Sequence, residues 1–313
     1  MSDALGRSDI WAINADGSGL TRLTNDRYGH KYELTWSPDG RRLAFRRDET
    51  NGFGDTSRIW VVNANGTGLH TVTSAGTFEG HPTWSPDSRR IAFNRADRLI
   101  YIKNADGTGS LTQLPPIPGF SYFNFPDWSR ANRLAFQCKD PNRTRICAEN
   151  PDGSGQAVLT VGGNGGRYEP RGDFQPAWSH NSRKLAFAAG GNDDAYGFHA
   201  EVTNADGSVR GDISRRGVNL DRPKWSPDSR SLLFSTPTGN FTAGVSASNS
   251  PVRTRMPCVC SQLTWAPDSA HIAYVSRGDL WLLRLGTVGQ QFAPVQLTHT
   301  AKATEHNPVF QPD

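Results

Sequence analysis

Histidine and glutamate side chains recur at one place in a repeating sequence, and this is the first pattern able to do chemistry. Glu79 and His81 stand just before Trp84, Glu305 and His306 just before Phe310, and His30 before Trp36. Imidazole and carboxylate donors brought together from equivalent positions of different repeats would suit a divalent metal. A more varied set lies at the same place in the other repeats: Tyr32, Glu33, Phe78, Phe123, Phe174, Gln175, Asp221 and Arg222. Aromatic rings there offer contact area and charged groups offer polar specificity. The alternative chemistry is therefore recognition of a ligand, with no catalytic residue and no cofactor.

Other reactive patterns do not fit. No Gly-x-Ser-x-Gly elbow occurs, and no alternating helix and strand region would hold one, so serine hydrolase chemistry is disfavoured. Segments such as Asn14-Ala15-Asp16-Gly17-Ser18-Gly19 begin like a calcium loop, yet the glutamate required at its twelfth position does not follow. Their return at Asn63, Asn104, Asn150 and Asn204 favours a structural turn.

The elements that must position these groups are β-hairpins. The segment Thr83-Trp84-Ser85-Pro86-Asp87-Ser88, followed by Ile91-Ala92-Phe93, has close copies around Trp36, Trp128, Trp178, Trp225 and Trp265, and a fading one at Phe310-Gln311-Pro312-Asp313. Proline presets φ for the turn, aspartate accepts nearby backbone N–H groups, and Gly40 tolerates a left-handed exit. Each repeat holds four strands: A ending at the tryptophan, B the Ile-Ala-Phe run, C the Ile-Trp-Val run, and D ending in Leu-Thr. Four strands per period of about 40 to 50 residues is the signature of a β-propeller blade. All nine tryptophans fall on repeat positions, where they pack between sheets.

The expected fold is all-β: a single β-propeller domain over residues 1–313, of seven four-stranded blades, with six as the alternative. Six blades are anchored at Trp36, Trp84, Trp128, Trp178, Trp225 and Trp265. The seventh would be shared between residues 1–24 and 305–313, closing the ring, with Ser2 to Leu5 as the one candidate for its strand B.

The motif Trp-Ser-Pro-Asp-Gly, then Leu-Ala-Phe, Ile-Trp-Val and an Asp-Gly-Ser/Thr-Gly turn with Leu-Thr after it, resembles the WD40-like PD40 repeat of the TolB-like propeller family. Similar repeats occur in the propellers of tricorn protease and prolyl-oligopeptidase relatives. The resemblance implies a propeller and, more loosely, a protein-binding scaffold in a periplasmic or extracellular setting. It does not fix an activity, since members include binding scaffolds, peptidase gating domains and carbohydrate-active enzymes. Propeller lyases acting on acidic oligosaccharides use a broadly similar His/Glu arrangement, so a metal-dependent carbohydrate enzyme is the rival expectation, and a fragment of a larger protein a third. The family's TolB has six blades and a separate N-terminal α/β domain, for which this chain has no room.

Composition limits the partners. Net charge is +4, with arginines spread over turns rather than along a stripe, which argues against nucleic acid. No apolar run approaches the roughly 18 residues of a membrane helix. The first residues lack a signal-peptide pattern. The expected partner is a protein or peptide segment, or a glycan, met by a monomer.

Four cysteines form two close pairs, Cys138 with Cys147 and Cys258 with Cys260, and leave three pairings open. A bond between Cys138 and Cys147 would point to an oxidising compartment. Free thiols in a reducing one are the other reading.

Overall fold

The Ser-Pro-Asp turn is built by side chains that copy backbone hydrogen bonds. Ser37 N donates to Arg42 O at 2.8 Å. Ser37 Oγ donates to Asp39 Oδ1 at 2.6 Å, and Asp39 Oδ1 accepts the Arg41 N–H at 3.1 Å. The next residue is left-handed, with φ of 66° at Gly40 and 59° at Ser88. A Ser-Pro-Asp-Ser turn therefore strains one serine where Gly40 relaxes. Neighbouring turns are also linked, since Ser88 Oγ accepts Asp39 N at 3.1 Å, Ser182 Oγ accepts Ala131 N at 3.1 Å and Ser229 Oγ accepts Asn181 N at 3.0 Å.

These hairpins assemble into six antiparallel sheets of four strands each, plus one two-stranded sheet. The computed structural model describes residues 9–25, 29–49, 56–74, 77–161, 172–190, 198–214, 223–236, 239–245, 253–256, 261–285, 293–299, 305 and 307–312. The fold is an all-β propeller with six complete blades, the smaller of the two counts weighed from sequence, and no helix occurs among the described residues. Ser2 to Leu5, Cys258 and Cys260 lie outside the described residues.

The chain divides into two compact units. The first, residues 1–96, 101–112 and 259–313, carries the first blade (Lys31–Trp36, Arg42–Asp48, Ser57–Asn63, His70–Thr71). It also carries nearly all of the second (Glu79–Trp84, Arg90–Arg95, Ile100–Asn104, Thr112–Gln113) and the sixth (Ser261–Trp265, His271–Ser276, Asp279–Arg284, Val295–Gln296). The separate pair Trp11–Ala12 and Thr21–Arg22 belongs to the same unit.

The second unit holds the third blade (Tyr122–Trp128, Leu134–Lys139, Thr144–Glu149, Ala157–Val158) and the fourth (Asp173–Trp178, Lys184–Gly190, Phe198–Asn204, Gly211–Asp212). Its fifth blade comprises Lys224–Trp225, Ser231–Thr236, Gly239–Gly244 and Arg253–Arg255. The core of this unit lies between sheets: Trp178 packs with Ala135, Ile146 and Phe187, and Trp225 with Ala186, Val202 and Phe234.

The Leu-Thr ending of strand D has a specific task. Thr24 Oγ1 accepts Ile10 N at 2.9 Å, Thr160 Oγ1 accepts Ile146 N at 2.9 Å, Ser214 Oγ accepts Ala200 N at 2.9 Å and Thr298 Oγ1 accepts Leu280 N at 2.9 Å. The hydroxyl satisfies the strand C donor that the very short strand D cannot reach. In the third blade a disulfide joins Cys138 of strand B to Cys147 of strand C, with Cα atoms 5.8 Å apart and both residues fully buried.

Candidate functional site

One backbone device places the residues singled out before each tryptophan. Three residues ahead of the anchor, φ is positive at Glu33 (55°), His81 (53°), Phe125 (51°), Gln175 (52°) and Gln262 (53°). The ladder between strands A and B slips there, as between Tyr32 and Thr35 or Phe174 and Ala177. This is a β-bulge with a non-glycine residue in the left-handed region, and none of the five is β-branched, in keeping with the steric limits of that conformation.

The bulge frees an N–H, which Asn124 Oδ1 of the same blade accepts from Phe125 at 2.8 Å and a side chain of the preceding blade accepts in two others. Glu33 Oε2 accepts His81 N at 2.5 Å in the first unit, and Gln137 Oε1 accepts Gln175 N at 3.0 Å in the second. The same device returns at Asn307, with φ of 50° and its N–H donated to Gln262 Oε1 at 2.6 Å.

Alternation on either side of the bulge decides which candidates face outward. The residue five before the anchor aromatic turns inward: Glu79, Phe123 and Glu305 are 1%, 4% and 8% exposed. Glu79 sits beside Thr73 Oγ1, with Arg95 Nε 3.5 Å from its carboxylate, and burial pushes its pKa up against those two partners. Phe123 packs edge-on against Phe136. Lys31 and Asp173 occupy the equivalent place, paired with Asp9 at 3.7 Å and with Arg210 at 2.9 Å, since charges taken out of water need partners.

Tyr32, Glu33, Phe78 and His81 come together on the first two blades around Arg46, which from sequence opens a surface-extending B-to-C loop, Arg46 to Arg58, and which the structure places on strand B. Arg46 pairs opposite Tyr32 across strands A and B. Its guanidinium lies 5.0 Å from the Tyr32 ring centre and 4.9 Å from that of Phe78. It also bridges Glu33 at 3.0 Å and Asp48 at 3.2 Å. His81 Nδ1 meets Asn94 Oδ1 at 2.7 Å, its Nε2 lies 3.5 Å from Glu33, and the His30 ring stacks on Tyr32 with centroids 5.8 Å apart. Burial, with the Asp48 charge, raises the Tyr32 hydroxyl above its usual pKa, so it stays protonated and able to donate. The signal for Arg46 was its strand B position, opposite an aromatic candidate.

In the second unit the same places are aromatic and amide. Phe174 meets Phe198 edge-on at 5.4 Å, Asn124 Nδ2 donates to Tyr122 Oη at 2.7 Å, and the Arg98 guanidinium lies 5.5 Å from the Tyr122 ring centre. Asp221, Arg222 and His306 lie outside the described residues.

Among the described residues no three His, Cys, Asp or Glu side chains gather as a metal centre. Of the metal candidates, Glu79 faces inward toward Thr73 and Arg95, and His81 is held by Asn94 and Glu33. The Asp-Gly-Ser turns are closed by their own side chains, with Asp16 Oδ1 accepting Ser18 N at 2.9 Å and Asn14 Nδ2 donating to Ser18 Oγ at 3.0 Å.

The TolB β-propeller domain of the PD40 type matches residues 34–228. The chain belongs to this family. No curated protein matches the sequence. Among solved structures, TolB from Acinetobacter baumannii is similar with a TM-score of 0.58 at 14% identity, over 78% of this chain and 58% of that one. The chain thus spans less than two thirds of that TolB's length. Oligogalacturonate lyase from Vibrio parahaemolyticus is similar with a TM-score of 0.66 at 14% identity, over 92% of this chain and 84% of the lyase. A chain of the nidogen/laminin complex is similar with a TM-score of 0.54 at 13% identity, over 79% of this chain and 89% of that one. At such identities these likenesses show the fold of the TolB-type family.

Proposed function

We propose that this TolB-type propeller is a non-enzymatic binding scaffold that recognises a peptide or protein segment, or a glycan, with the strand A bulge residues and their strand B neighbours. The observation that carries this is Arg46, held between the Tyr32 and Phe78 rings and clamped by Glu33 and Asp48. Aromatic and arginine side chains dominate binding energy at protein interfaces, and a prearranged guanidinium loses little freedom when a partner docks. Similar propellers in TolB and in the nidogen/laminin complex support a protein partner. The buried Cys138–Cys147 disulfide supports an oxidising compartment, periplasmic or extracellular.

The test is panning of a displayed random-peptide library on the purified protein, with binding of the enriched peptides measured on wild type and on Arg46→Ala/Glu33→Ala. At least a tenfold loss of affinity on the double variant is expected, with an unchanged circular dichroism spectrum. Equal affinity for both proteins would overturn the assignment.

A further inference from the structure

The first unit holds a cavity of about 790 Å³. That falls within the roughly 300–1,000 Å³ range of sites that enclose most of a ligand. Ile10 to Ile13 line one side of it and Pro308 to Gln311 another, while Leu34, Trp36 and Leu280 are among its apolar walls. Those flanking segments repeat the parts of a blade. Ile10 and Thr24 make the hydroxyl contact that joins strands C and D elsewhere. Asn307, three residues before Phe310, has the left-handed bulge of strand A, and Gln311 Nε2 donates to Gly40 O of the first blade at 2.7 Å. Among the described residues the strand Trp11–Ala12 pairs only with Thr21–Arg22, so one of its edges has no described strand beside it.

The walls show what is lacking. Trp84, Trp128, Trp178, Trp225 and Trp265 are all at most 8% exposed, whereas Trp36, which faces the cavity, is half-buried. Its Nε1 is buried with no hydrogen-bond partner, as is that of Trp178 in the complete fourth blade, so exposure rather than the N–H sets Trp36 apart. Trp11 and Val309, on the two flanking segments, are each 37% exposed.

We propose that residues 9–24 and 305–312 are strands C, D and A of one further blade, and that the cavity takes a partner's extended strand in the place of strand B. The six complete blades specify its chemistry. Their B strands read Leu43-Ala44-Phe45, Ile91-Ala92-Phe93, Leu134-Ala135-Phe136, Leu185-Ala186-Phe187, Leu232-Leu233-Phe234 and Ile272-Ala273-Tyr274, and none of these residues exceeds 6% exposure. The occupant is therefore a polypeptide with a large aliphatic, a small and an aromatic residue in succession, which adds by strand pairing. The chain's own B strands carry basic flanks, as at Arg90 and Arg95, and the occupant carries the same.

The probe is a fluorescein-labelled synthetic peptide with the sequence of residues Arg89 to Arg95, followed by anisotropy on the full chain. Saturable binding is expected, at least tenfold weaker for a shuffled peptide of the same composition and for the Trp11→Ala variant, with Trp11→Phe retaining affinity. Arg46→Ala/Glu33→Ala should bind this peptide like wild type, so failure here and failure of the rim assignment are separate results. A thermal melt of each variant establishes that it is folded. No saturable binding, equal binding of the shuffled peptide, or a dimer that the peptide does not dissociate would overturn the proposal. The last two would leave non-specific adhesion or a second copy of the chain as the occupant.

Discussion

Trp36 and Trp84 sit in nearly identical sequence, Thr-Trp-Ser-Pro-Asp, and in identical hairpins, yet their surroundings differ. Trp84 is 4% exposed, donates Nε1–H to Thr35 O at 3.0 Å and carries the Arg42 guanidinium 5.1 Å from its ring centre. Trp36 is half-buried against the cavity, and its Nε1 has no partner. The motif fixes the turn and the direction of the indole, whereas burial is supplied by the neighbouring blade. Stability in such a fold is a sum of repeat and nearest-neighbour terms, and the second kind is weakened where an anchor tryptophan faces a cavity.

The largest effect that tests this contrast is truncation of the two indoles. Trp84→Ala should cost about 3–5 kcal/mol in denaturant unfolding, as for other fully buried aromatics. Trp36→Ala should cost about half as much. Equal losses would mean that the cavity does not weaken the first blade.

Glu149 shows what a complete blade encloses. It is 1% exposed, accepts Gln156 Nε2 at 2.9 Å, and burial lifts its pKa to about 7. Its folded value lies above the ordinary one, so the stabilising proton is fully bound below about pH 4.5 and is lost as pH rises through 7. Glu149→Gln should match wild type near pH 4.5 and exceed it by up to about 3 kcal/mol at pH 8.5. Chemical denaturation at the two pH values measures this.

The third blade also carries the disulfide. Cys138→Ala/Cys147→Ala should lose about 2–3 kcal/mol, the range for closing a short loop. Reductant should lower the thermal midpoint of wild type and leave the variant unmoved.

The smallest contrast is between two turns. Ser88→Ala removes the acceptor for Asp39 N and should cost about 1 kcal/mol. Gly40 occupies the same turn position, where an added Cβ would lie 3.0 Å from Pro312 O. Gly40→Ser should therefore destabilise by about 0.5–1 kcal/mol rather than supply the missing link, a difference that paired melts resolve.

Blade identity was legible because turn chemistry and strand alternation are local: Trp-Ser-Pro-Asp, Ile-Ala-Phe and Leu-Thr each specify their own hairpin. The site was legible only as a window of residues. Tyr32, Glu33, Phe78 and His81 gather as a cluster, while Glu79, Phe123 and Glu305 turn inward, because a bulge three residues before the tryptophan resets the alternation and nothing in residue type marks it. Arg46 and Asn94 come from strand B, on the far side of the turn from the bulge residues that they meet, so only pairing register reveals them. A seventh blade without a clear strand B was visible as a gap in the repeat, with Ser2 to Leu5, outside the described residues, as its one candidate. That Trp36 faces a cavity there depends on contacts between distant segments.

The left-handed residue in strand A has a consequence for how such a chain diversifies. Its backbone shape disfavours β-branched side chains but holds glutamate, histidine, phenylalanine and glutamine, and its hydrogen bond is donated by the main chain. Substitution there leaves the residue's own N–H in place, but at Glu33 and Gln262 the side chain is also the acceptor for the next bulge, so its exchange removes a bond to the following segment. A lineage can therefore exchange specificity one position at a time where the bulge side chain makes no such link, and combinatorial libraries that spare Glu33 and Gln262 should be richer in folded members than libraries that vary them.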